Sequence, residues 1–144
     1  MPEQTRASRQ GVVPMINYAD GPAAMDWLAE AFGFVEQARW VDDGMLSHGE
    51  MIAGDGVIMM ATGTRDYEGP RAHREHCAAA AAWSKVPYTI DGVLVYVPDV
   101  DGHCARAREK GAVILSEPGD SPWGRQYRAE DVEGHRWMFL ERPS

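Results

Sequence analysis

Residues 92–117, "GVLVYVPDVDGHCARAREKGAVILSE", change their hydrophobic rhythm twice, and that change decides the fold. Residues 92–97 are apolar, with three valines among the six, which predicts a short strand. Residues 98–111 predict a helix, opened near Asp99 as N-cap and closed by Gly111. Residues 112–117 return to a strand pattern. Downstream, "GRQYRAED" (124–131) and "RWMFLE" (136–141) add two more strands.

The same order occurs earlier in the chain. "VVPMINY" (12–18) reads as a strand. "DGPAAMDWLAEAFG" reads as a helix with Asp20 as N-cap, Pro22 in its first turn and Gly33 as its stop. Met25, Leu28 and Phe32 recur at helical spacing and predict its buried face. Residues 34–40, 45–52 and 57–62 read as three strands joined by the tight turns "VDDG" and "AGDG". A constant offset of 79 relates the halves: 99 − 20 pairs two aspartates, 109 − 30 two glutamates and 138 − 59 two methionines. We therefore read an α+β chain of two tandem βαββ modules. Module one covers residues 11–63 and module two 92–141, within a single domain over 11–141. A helical linker spans 64–91, its helix expected from Arg71 to Ser84. Residues 1–10 read as a flexible arm.

The composition narrows the function. A chain of 144 residues with 44% hydrophobic content builds one ordinary core. Its net charge of −8 argues against general nucleic-acid binding, which needs a basic face. No apolar run is long enough to cross a membrane, and the polar start lacks a secretory core, so a cytoplasmic protein is expected. Cys77 and Cys104 make no disulfide framework.

The phrases "YADGPAAMDWLAEAFGF", "GVLVYVPDVDGHCARAREKGAVILSEP" and "WGRQYRAEDVEGHRWMF" resemble, in order and spacing, segments of the vicinal oxygen chelate superfamily. That superfamily includes glyoxalases, bleomycin and fosfomycin resistance proteins and extradiol dioxygenases. The resemblance covers roughly residues 12–141. It implies a cup-shaped mixed sheet around a central cavity, each module supplying half, and a homodimer, sometimes with modules exchanged. Metal-using members resemble one another in four ligand positions of His, Gln or Glu type. Carried onto this sequence, these fall on Val13, Met59, Gly92 and Met138. None of these side chains suits a hard or borderline divalent ion, so no family-type metal and no cofactor is expected.

Other residues offer chemistry. His48 and Glu50, two apart on a strand, point to one side, as general base and its orienting or proton-accepting partner. The offset pairs His48 with Tyr127, and Arg125 faces as Tyr127 does, so one cavity holding all four is an expectation. Trp40, Trp83, Trp123, Trp137, Met59, Met60 and Met138 are candidates for an apolar wall, with Trp123 the movable one. His73, His76 and Cys77 in the linker have metal-ligand spacing on a surface helix. His103 reads as a polar residue of the second helix without a catalytic role, and His135 as a turn residue.

The expected function is metal-independent binding of an apolar or cationic small molecule, in the manner of bleomycin resistance proteins. The alternative is a glyoxalase-like lyase, isomerase or dioxygenase acting on a small carbonyl compound. It would use His48/Glu50 acid–base chemistry or a metal site the family pattern does not reveal.

Overall fold

The computed structural model describes residues 7–143. Module one runs β1 (Met15–Tyr18), α1 (Gly21–Phe32), β2 (Val35–Asp42), β3 (Met45–Ala53) and β4 (Gly56–Thr62). The linker holds α2 (Pro70–Arg74) and α3 (Ala78–Ser84). Module two runs β5 (Val93–Tyr96), α4 (Val100–Glu109), β6 (Val113–Ser121), β7 (Gly124–Glu130) and β8 (Arg136–Leu140). Counted in full, each module is βαβββ. The two sheets have equivalent strand orders, β1-β4-β3-β2 and β5-β8-β7-β6, with the first pair parallel and the rest antiparallel. The internal repeat is thus a repeat of topology.

Local chemistry explains the elements. The Asp20 side chain accepts from the Ala23 amide and opens α1, and Gly33 closes it in the left-handed region at φ 73°. Asp99 caps α4 in the same way by accepting from Gly102. The β2–β3 turn places Asp43 and Gly44 at φ 51° and 75°, as a two-residue hairpin of type I′ requires. Met25, Leu28 and Phe32 are buried as the periodicity predicts, each contributing roughly 1.5–3 kcal/mol. Gly49 on β3 lets α1 come close, since a Cβ there would lie 2.7 Å from Met25 Sδ.

α1 and α4 pack against each other and against their own sheets, and one continuous core runs through both modules. Phe32 reaches across to Phe139, with ring centroids 4.7 Å apart. The core residues of both sheets point to the side where α1 and α4 lie. The other side, the helix-free side, is free of α1 and α4 and meets only the short linker helices at its edge, through Glu130 and Arg136. Each module's last turn docks on the other's first strand. Gly54 sits against the Tyr96 backbone, and the Glu133 carboxylate accepts from the amides of Ala19 and Asp20.

Two expectations change in detail. The helix expected over 71–84 is broken, because Cys77 is extended at φ −126°, ψ 110°. A straight helix of that length would put its ends about 20 Å apart. The break lets both ends dock on module two: Arg71 and Arg74 pair with Glu130, and Arg136 Nη2 donates to Ser84 O at 3.1 Å. Of the expected arm, residues 1–6 lie outside the described residues. Ala7–Arg9 form a 3-10 turn against sheet one, where the buried Ala7 donates its amide to Glu50 Oε1 at 3.2 Å.

Candidate functional site

Strand alternation sorts the candidate residues onto two faces. On β3, Gly49 and Met51 face α1 and the core, which turns His48 and Glu50 to the helix-free face. Register places Trp40 opposite His48 and Met59 opposite Glu50, on that same face. His48 Nε2 and Glu50 Oε2 are 2.7 Å apart, and the Trp40 ring lies 5.2 Å from the imidazole. Glu50 is fully buried beneath Ala7, whereas the His48 side chain keeps 29% of its exposure. If Nε2–H donates to Glu50, Nδ1 is left as the acceptor a substrate or ligand can reach.

On sheet two, Met138 lies beside Leu94 on the helix-free face, because Trp137 and Phe139 point into the core. The same alternation corrects the expected four-residue constellation. Tyr127 is fully buried on the helix side, and Arg125 reaches α4, where it pairs with Asp101 at 2.8 Å and with Asp120 at 3.0 Å. Neither joins His48. The histidine that meets Tyr127 is His103, whose Nδ1 is 2.5 Å from the phenol oxygen. His103 Nε2 lies 2.8 Å from Phe32 O, so it carries the proton and Nδ1 accepts from Tyr127. Burial lowers the His103 pKa and raises that of Tyr127, so both are neutral structural links. Trp123 stands in the β6–β7 turn, 72% exposed.

Two hollows bear on the candidate residues. A small one of about 110 Å³ is lined by Met15, Asn17, His48, Met59 and Ala61. A larger one of about 570 Å³ lies between the linker helices and the start of β8. Its walls include Tyr67, Glu68, His73, Trp83, Ile90 and Arg136. Most of this cavity has no counterpart among the residues that the sequence marks for a site. Trp83, His73 and His135 line it, but nothing local joins them, because a linker's packing partner has no local signature. Exposed Met15, Trp40, Leu94 and Tyr96 leave the helix-free face rich in apolar surface.

The four carried-over ligand positions do not fit the metal of catalytic relatives. Met59 and Met138 sit beside Met15 and Leu94 in register, and the Met59 amide donates to Pro14 O next to Val13. Thioether and aliphatic side chains are poor partners for a hard or borderline divalent ion.

Paired βαβββ modules covered on one side by two helices, with an open face opposite, define a class of small cup-shaped proteins. The chain belongs to the glyoxalase/bleomycin resistance protein/dioxygenase superfamily, whose family model matches residues 12–139. Among solved structures, it is similar to TioX from Micromonospora sp. ML1, with 31% identity, a TM-score of 0.67, and coverage of 94% of this chain and 98% of that one. It also resembles TnmS3, an antibiotic binding protein from Streptomyces sp. CB03234, at 19% identity and a TM-score of 0.58, covering 93% of this chain and 98% of that one. A glyoxalase I variant from Zea mays aligns at 16% identity and a TM-score of 0.62, covering 90% of this chain and 44% of that one. The last two likenesses bear on fold alone. No curated protein sequence matches significantly.

Proposed function

We propose that the protein binds an apolar or cationic small molecule on its helix-free side, without the metal of its catalytic relatives. The observation that carries this reading is the helix-free face itself. It presents Met59 and Met138 at two positions where the resemblance puts a relative's metal-binding side chains, with exposed Met15, Leu94 and Trp40 on the same face. The 570 Å³ cavity has the volume of a small-molecule site. An antibiotic-binding protein among its structural neighbours adds support.

The chain carries net charge −8, which favours cations over anions near the face. Its apolar face also motivates a homodimer, in which a second copy would cover part of this surface. Titrating the protein with a panel of hydrophobic, cationic and polyketide-like compounds tests the reading, with tryptophan fluorescence and thermal shift as readouts. Saturable binding by a member of that panel, weakened in Trp40→Ala, is expected. A panel with no binder counts against it.

The His48–Glu50 hydrogen bond motivates a second reading, acid–base chemistry on a small carbonyl compound. In that reading His48 moves the proton at Nδ1 and Glu50 holds the ring. Turnover of such a compound by wild type, abolished in His48→Ala, would favour it over simple binding.

A further inference from the structure

Glu68, His73 and His76 form a cluster in which each offers a ligand atom within 4.8 Å of the others. Glu68 Oε1 is 2.8 Å from His73 Nδ1 and 2.5 Å from His76 Nε2. Donor atoms around a tetrahedral zinc ion lie about 3.3 Å apart when the metal bonds are about 2.0–2.2 Å. The existing spacing is therefore close to what coordination needs. Two imidazoles and one carboxylate are also a donor set that suits zinc.

The backbone holds these groups without using them. Pro70 starts α2, the His73 amide donates to Gly69 O, and the His76 amide donates to His73 O at 3.3 Å. Arg71 and Arg74 tie the helix to Glu130, and the Arg71 amide donates to Glu133 O at 3.0 Å. The three donors remain accessible, with side-chain exposures of 36%, 49% and 62% in chain order. Asp99, Asp101 and Glu141 make a second cluster among the described residues. Its carboxylates are already engaged by the Gly102 amide, Arg125 and the Val100 amide, so it carries no site.

We propose that Glu68, His73 and His76 bind one divalent ion of the zinc type at the edge of the large cavity. Three protein donors leave a coordination position open, and Glu68 and His73 line the cavity. The position thus borders the space where a small molecule would lie. The site is separate from the four sheet positions of the superfamily, and it stands whether or not the ligand-binding reading holds.

The test is calorimetric titration of metal-stripped, tag-free protein with zinc chloride, with cobalt(II) absorption as a second readout of the donor set. One equivalent should bind. His73→Ala and His76→Ala should each weaken binding at least about tenfold, and Glu68→Gln should change the cobalt spectrum. Zinc should raise the melting temperature of wild type but not of the His73→Ala/His76→Ala double variant, while His48→Ala keeps the response. Absence of stoichiometric binding, or a zinc-induced shift that persists in the double variant, would overturn the proposal. A response lost in His48→Ala would place the metal on the sheet instead and overturn it equally.

Discussion

Five hydrogen bonds converge on the buried carboxylate of Asp131. Oδ1 accepts from the amides of Glu133, Gly134 and His135, and Oδ2 from Tyr18 Oη at 2.6 Å and Trp137 Nε1 at 3.0 Å. One side chain thus shapes the turn before β8 and ties it to β1 of the other module. Gly134 completes that turn at φ 97°, where the Arg71 amide would lie 2.8 Å from any Cβ. Asp131→Asn would aim an N–H group at Tyr18 and Trp137 and leave the buried indole N–H unpaired. We expect it to cost about 2–4 kcal/mol by urea denaturation, against about 1 kcal/mol for Tyr18→Phe. His103 gives a pH signature at the same scale. Burial holds its folded pKa below the unfolded value of about 6.5. The unfolded chain therefore takes the proton first, and stability present at neutral pH is lost as pH falls below that value. His103→Asn should flatten the slope of stability between about pH 5 and 7 relative to wild type.

The elements divide into two kinds. Six strands and both long helices follow local signals closely. β1 starts three residues late because Val12–Pro14 precede its pairing with β4, and β6 runs four residues past the expected 112–117, to Ser121, because it stays paired with β7. The linker keeps its local helical tendency, but in two pieces whose break the local sequence does not indicate. α2 and α3 are short, and α2 is held by Glu130, whose side chain is only 3% exposed. Burial pushes the Glu130 carboxyl up, but Arg74 and Arg71 outweigh it and hold the pKa below the usual carboxylate range. The stability this pair contributes is present above the unfolded value of about 4.3 and is lost as pH falls through the lowered folded value. Glu130→Gln should therefore release the linker before the sheets. Amide exchange over residues 70–84 should rise by more than tenfold while β3 and β7 keep their protection, since about 1.4 kcal/mol of local opening is a factor of ten.

At the scale of the molecule, both helices cover one side of the two sheets and leave an apolar side open. Sedimentation should then report a particle of twice the 15.9 kDa chain mass. Leu94→Lys, at an exposed position of β5, should shift that equilibrium toward monomer without lowering the melting temperature of the dilute protein.

Periodicity, caps and turn residues determined the repeated order of strand, helix and three strands. These signals act over a few residues, and each residue's neighbours along the chain are enough to set them. Alternation also put His48 beside Glu50 and Arg125 beside Tyr127 on their own strands. It could not say which face of each strand the helices would cover, because that depends on residues distant in the chain. Only the tertiary structure decided that Tyr127 turns inward to His103, that His48 turns to the open face, and that the linker folds back to wall a cavity with Glu68 against two histidines.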